Sequence, residues 1–151
     1  MNASQARLQE TLRTLIPLGK AMQVQVAHLD EVTLRLTAPL EANHNHAGTA
    51  FAGSLYSLAS LAGWGILRQL LDDQGVAAEL LLGKAEMRYT RPVVTDLAAT
   101  VRIPLTDQAH LVDQLHAGKK VRLRLSVFIP DEIDPDATLM GTYFAAPLRS
   151  D

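Results

Sequence analysis

The stretch AFAGSLYSLASLAGWGILRQLL, Ala50 to Leu71, decides the architecture of this chain. Its apolar residues occupy every helical face and only Ser54, Ser57, Ser60, Arg68 and Gln69 are polar. The helix it forms must therefore be buried on most sides. Gly53, Ser57 and Ser60 recur at i, i+4 and i+7, a narrow stripe of small residues that another backbone or a ligand can approach closely. Close packing of the helix on a sheet is the other reading of that stripe.

On both sides of the helix the hydrophobic period changes to two. Met22, Val24 and Val26 alternate with Gln23 and Gln25, and Val32, Leu34, Leu36 and Ala38 alternate with Thr33, Arg35 and Thr37, which predicts a hairpin across Asp30-Glu31. After Gly75, Ala77 to Thr90 reads as extended, with a bulge at Gly83 and a stop at Pro92. Leu97 to Ile103, Val121 to Ile129 and Thr138 to Ala146 follow as further strands, with a helical patch from Gln108 to His116 ended by Gly118. At the N-terminus, Leu8, Leu12, Leu15 and Ile16 share a helical face, Ser4 is the expected cap, and Pro17 and Gly19 stop the element. The result is an α+β chain in which a curved antiparallel sheet wraps around one long central helix.

With 151 residues the chain is expected to form a single unit, 1–151. Its net charge of -2 argues against nucleic acid as a partner. Cysteine is absent, which excludes a disulfide framework and a thiolate nucleophile and fits a reducing compartment. The first residues lack the apolar core of a signal peptide, so a cytoplasmic protein without membrane attachment is expected.

Chemistry is expected where the polar segment Asn43-His44-Asn45-His46-Ala47-Gly48-Thr49 runs into the helix. Free backbone N–H groups and the positive end of a helix dipole suit a developing oxyanion, although Thr49 is equally readable as a plain helix cap. Gly53-Ser54-Leu55-Tyr56 is not a Gly-x-Ser-x-Gly elbow, and His44-x-His46 lacks a third ligand at metal-binding spacing. Neither a metal nor a nucleotide-type cofactor is expected. Around the loop, Asn43, Asn45 and Ser60 can orient water, whereas of the loop's side chains only the imidazoles of His44 and His46 belong to a type that exchanges protons near neutrality.

Element order, buried helix and loop resemble the hotdog fold, in the branch holding bacterial acyl-CoA and acyl-carrier-protein thioesterases. More narrowly, Thr49-Ala50-Phe51-Ala52-Gly53-Ser54-Leu55-Tyr56 followed by Leu61-Ala62-Gly63-Trp64 resembles a thioesterase domain found alone or at the C-terminus of some bacterial acetyltransferases. Phenylacetyl-CoA type hotdog thioesterases carry Asn, two residues, Gly, two residues, His-Gly-Gly, then an acidic residue along the helix. This chain matches at Asn45, Gly48 and Gly53 and departs at Phe51, Ala52 and Ser60. The resemblance implies thioester hydrolysis without a cofactor, with Asn45, Gly53, Ser60 and His46 as catalytic candidates. Asn43, Thr49, Phe51, Ser54, Tyr56 and Tyr89 are the implied substrate contacts. Arg88 and Arg91, in Lys84-Ala85-Glu86-Met87-Arg88-Tyr89-Thr90-Arg91-Pro92, suit the phosphates of coenzyme A or are solvated edge charges. Arg122 and Arg124 read as a solvent face. The strand Leu80 to Tyr89 is apolar beyond what one helix can cover, so a homodimer or homotetramer is expected.

Overall fold

The computed structural model describes residues 1–148. Helix α1 (Ala3–Thr14) is capped by Asn2 rather than Ser4: Asn2 Oδ1 accepts the Gln5 amide at 2.8 Å and Gln5 Oε1 accepts the Asn2 amide at 2.9 Å. This reciprocal pair satisfies two orphan donors at once, which a cap two residues later does not offer. The first helix stops short of Pro17 as expected, with Ile16 extended, and Pro17 then opens a second short helix, α2 (Pro17–Ala21), as proline's fixed φ permits at a first helical position; Gly19 lies inside it.

Strand β1 (Gln25–Leu29) begins later than the alternation of Met22 and Val24 predicts. Both residues are buried, but Met22 caps α2 and Gln23 takes a left-handed φ of 59°, so burial there comes from a turn folded onto the core. Strand β2 (Thr33–Ala38) pairs with β1, and the short helix α3 (Leu40–Asn43) leads to the loop before α4 (Ala52–Asp73). Then come β3 (Ala78–Tyr89), β4 (Leu97–Arg102), α5 (Leu105–His116), β5 (Val121–Ile129) and β6 (Ala137–Pro147). The six strands form one antiparallel sheet in the order β1-β2-β4-β5-β6-β3. The register of β3 slips between Leu82 and Lys84, the bulge expected at Gly83.

Helix α4, 22 residues long, packs against β2, β3, β4, β5 and β6, and α1 lies against it as well. Leu55, Leu58, Ala59, Leu61, Ala62, Ile66, Leu67 and Leu71 are buried in that enclosure. This is the hotdog arrangement. Among the described residues no helix is long and apolar enough to cross a membrane.

The closest approach of helix to sheet occurs at Gly63. A Cβ there would overlap the phenol of Tyr143 on β6, whose hydroxyl donates at 2.9 Å to the Ser60 carbonyl one turn earlier. At Gly65 an added Cβ would come tightest to Leu34 Cδ2, at 3.2 Å, a methyl that can give way, with Leu8 and Leu12 methyls at an ordinary 3.8 Å. Gly63→Ala is therefore expected to lower the free energy of unfolding by ~1–3 kcal/mol through overpacking. Gly65→Ala is expected to stay within about 1 kcal/mol of the parent, because the gain in helix propensity offsets the small shift. Urea titration of the two variants checks this, and equal midpoints would remove Tyr143 as the element that sets helix-to-sheet spacing.

Candidate functional site

The loop before α4 is built by Asn45. Its Oδ1 accepts the amides of Ala47 at 2.9 Å and Thr49 at 3.1 Å, and its Nδ2 donates to Thr49 Oγ1 at 2.8 Å. Its backbone N–H donates to the Thr49 carbonyl at 2.7 Å, and its carbonyl accepts the Gly48 amide at 3.1 Å, Gly48 holding a φ of +80°. An asparagine side chain bonding backbone a few residues on is an ordinary way to close such a turn. Thr49 is thereby engaged by Asn45 and does not cap α4. The N-cap is Phe51, which offers no side-chain acceptor.

That entry leaves donors unused. The amides of Ser54 and Leu55 reach the Phe51 carbonyl at 3.0 and 3.1 Å, whereas those of Ala52 and Gly53 have no hydrogen-bond partner among the described residues. The backbone before them is anchored from two sides: the Phe51 amide donates to the Asn43 carbonyl and the Ala50 amide to the Val93 carbonyl, both at 2.8 Å. From the end of β3, the Tyr89 hydroxyl donates to the Ala52 carbonyl at 2.9 Å. Partial burial, and secondarily the neighbouring Tyr56 phenol, push the Tyr89 hydroxyl above the ordinary phenol range, so it stays a donor. Burial and Tyr56 act in the same direction on Tyr143.

Asn45, Thr49, Ala52, Leu55, Tyr89 and Val93 line a cavity of about 340 Å³ at this helix start. The exposed ring of Phe51 covers the position a Gly53 side chain would take. Ser54 lies on the first turn, and Tyr56, on the second, is near enough to both other tyrosines to act on them electrostatically. The remaining candidates are placed elsewhere. Asn43 is buried, 3% exposed, its Nδ2 donating to the carbonyls of Met22 at 3.0 Å and Pro39 at 2.8 Å, so it fastens α3 to α2. Ser60 donates to the Ser57 carbonyl at 3.0 Å and sits beneath Tyr143, apart from the cavity lining. His44 contacts the Asn45 carbonyl at 2.8 Å, and His46 is exposed on the outer turn.

Arg88 is exposed, with no ion pair among the described residues. Arg91 spends its guanidinium on the loop before β6, with Nε 3.0 Å from Asp136 Oδ1, Nη1 3.0 Å from Asp134 Oδ1 and Nη2 2.6 Å from the Asp134 carbonyl. It straps that loop while itself forming part of the cavity lining. Val93 and Leu55 are not singled out by sequence reasoning, since nothing but tertiary contact marks an apolar residue as lining a site. No group of three or more His, Asp or Glu side chains that could hold a metal occurs among the described residues.

Comparison with known proteins gives a consistent picture. The family model described as "Putative thioesterase (yiiD_Cterm)" matches residues 5–147. A structure from Shewanella oneidensis, described as a putative thioesterase, superposes with a TM-score of 0.87 at 30% identity, covering 97% of this chain and 100% of that one. A protein of unknown function from Chlorobaculum tepidum superposes at 0.89 with 28% identity and the same coverage. A phenylacetic acid degradation protein from Thermus thermophilus shares the fold at a TM-score of 0.55 and 20% identity, over 85% of this chain and 97% of that one.

Removing the Asn45 side chain isolates what holds the loop. Asn45→Ala is expected to speed amide exchange at Ala47 and Thr49 by roughly tenfold, the equivalent of about one hydrogen bond. Because the loop is peripheral to the core, global unfolding should change by less than ~1 kcal/mol. Hydrogen exchange followed by NMR checks this, and unchanged protection at both amides would mean the backbone alone closes the turn.

Proposed function

The chain belongs to that thioesterase family, and from this premise we propose that it hydrolyses acyl thioesters of coenzyme A or of acyl carrier protein by direct attack of water. The observation that carries the reading is the pair of unpartnered amides, Ala52 and Gly53, at the start of a 22-residue helix, with Ala52 lining the 340 Å³ cavity and Gly53 next to it in the chain. As water adds to the carbonyl carbon, negative charge develops on the thioester oxygen. Fixed N–H donors and the helix dipole stabilise that charge more than they stabilise the ground-state carbonyl. The C–S bond then breaks, the thiolate takes up the proton lost by water, and the carboxylic acid leaves. Tyr89 serves here as a positioning residue, because its bond to the Ala52 carbonyl fixes the first turn. Asn45 positions the approach to that turn, while Ser60, bonded to the Ser57 carbonyl, and His46, exposed on the outer turn, both stand outside the cavity lining, so the lining itself offers water no side-chain base. With 5% aromatic residues and a leucine-rich core, an aliphatic acyl group is the better match.

One observation favours a second reading. The cavity lining contains no carboxylate and no imidazole, and Ser60 stands where related enzymes carry an acid. A non-catalytic acyl-thioester-binding domain needs neither. Thiol release from a panel of acyl-CoAs and acyl carrier proteins separates the two. The enzyme reading expects turnover by the parent and a loss on the order of 100 to 1000-fold in Gly53→Pro, which removes one oxyanion donor. Proline is tolerated in a first helical turn, and the exposed Phe51 ring that it displaces is free to move, so an unchanged melt is expected. Undiminished turnover in folded Gly53→Pro would remove the helix start from the mechanism; an inert parent would favour the binding domain.

The edge strand β3 supports an oligomeric reading. This 12-residue strand ends the sheet, leaving a row of unpaired backbone groups on its outer side, and Leu81 on it is 58% exposed. Long exposed edges are normally closed by pairing, and a copy of the same strand is the partner always available. A homodimer, or a homotetramer built from it, is expected by multi-angle light scattering at micromolar concentration. A monodisperse monomer would overturn the shared-edge assembly.

A further inference from the structure

We propose that the outer face of the sheet, opposite α4, binds a phosphate-bearing nucleotide, its phosphates on Arg122, Arg124 and Lys84 and its base on the ring of Phe144. Strands β5, β6 and β3 lie side by side, and their register sets outward side chains in rows. Arg122 pairs with Phe144 and Phe144 with Leu81; Arg124 pairs with Thr142 and Thr142 with Lys84. Directly opposed side chains on one face stand roughly 5 Å apart, so Arg124 and Lys84 flank Thr142, with Arg122 on the adjacent row beside Phe144.

The bulge at Gly83 makes this grouping. Leu81 and Lys84 are three residues apart and in a regular strand would point to opposite faces. The slip between Leu82 and Lys84 puts both outward. Gly83 itself lies under the ring of Phe144, where any Cβ would overlap the ring carbons. The ring is held down across the bulge with its other side open, 43% exposed. Arg122, Arg124, Lys84 and Phe144 line one cavity of about 410 Å³, with Met140 and Glu86 at the next row.

The charge of this face identifies the occupant. The protein carries a net charge of -2, yet Lys84, Arg122 and Arg124 share one hollow and none has an ion-pair partner among the described residues. Arg7, Arg68 and Arg91 all have one. Three cations against the single carboxylate of Glu86 leave the hollow with an excess of positive charge, and an anion seated among them relieves their repulsion. A second copy of the chain is a poor fit, because a two-fold contact through this hollow sets cations against cations. Guanidinium groups suit phosphate oxygens, an exposed aromatic ring suits a base, and the hollow is of small-molecule size. Glu86, an acceptor only, repels phosphate and is placed to accept from an exocyclic amine, which orients the ligand.

The test titrates full-length protein with ADP, adenosine, inorganic pyrophosphate and coenzyme A, read by calorimetry and by amide shifts in NMR, so it needs no thioester turnover. ADP is expected to bind with shifts confined to β3, β5 and β6, and to bind roughly tenfold more weakly to Arg124→Ala and to Phe144→Leu, both surface changes. Adenosine and pyrophosphate, each lacking half of the recognised group, are expected to bind more weakly than ADP. The source of the nucleotide is separated by kinetics. A KM for acyl-CoA that rises in Arg124→Ala at constant kcat assigns the site to the nucleotide of coenzyme A, and an unmoved KM assigns it to a free nucleotide. No shifts in these strands at millimolar ADP, or equal affinity in parent and variants, would overturn the proposal. Pyrophosphate binding as tightly as ADP with Phe144→Leu silent would overturn it too, leaving a bare anion patch.

Discussion

Everything in this molecule follows from the need to keep α4 out of water. A helix apolar on all sides cannot rest on a flat sheet, because at least half of its surface would stay exposed. The sheet therefore curls until β2 to β6 all touch the helix, and α1 closes the remaining side. Curling brings β6 so near that Gly63 has no room for a side chain, and the approach is fixed by a polar bond from Tyr143 to a helix carbonyl. Apolar burial supplies the driving force, and one buried phenol sets the distance.

Such an enclosure has open ends, and the helix must enter through one. At the entry the chain cannot continue the sheet, so the loop carries its own framework through Asn45 and borrows the Val93 carbonyl from the chain beyond β3. The first-turn amides are left without internal partners, and this is also where a cavity remains between loop, helix and strand end. The candidate site is thus a consequence of how a buried helix is threaded into its sheet, and changes of side chain at Phe51, Ala52 and Ser60 leave it in place. What those changes remove is the acid and imidazole chemistry that could have surrounded the same amides.

Periodic elements are legible in the sequence because burial imposes their period. The alternation over Val121–Ile129 matches the observed bounds of β5, and Gly83 announces the bulge because glycine inside an apolar alternation has few other uses. Local polar choices are less legible. Ser4 and Asn2 are both good caps, and only the partner at Gln5 decides between them. Met22 and Val24 alternate like a strand because they are buried on one side, although a turn does the burying. Arg91 is open to two readings since its anchors, Asp134 and Asp136, lie more than 40 residues away in sequence. Asn43 and Asn45 look alike in sequence, yet one is sunk between helices and the other organises the loop.

The bulge in β3 links the two faces of the sheet. Without it, the residues after Gly83 would exchange sides: Lys84 and Glu86 would point at α4, and Ala85, Met87 and Tyr89 would point to solvent. Burying Lys84 and Glu86 against an apolar helix would be costly, and Tyr89 would lose its bond to the Ala52 carbonyl. Looping Gly83 out of the ladder therefore does three things at once. It keeps the core apolar, brings Tyr89 onto the helix start, and gathers Lys84 with Arg122 and Arg124 on the opposite face. Any change that straightened the bulge while keeping Gly83 in the ladder would alter the cavity at the helix start and the cationic hollow together, although the two lie on opposite sides of the sheet.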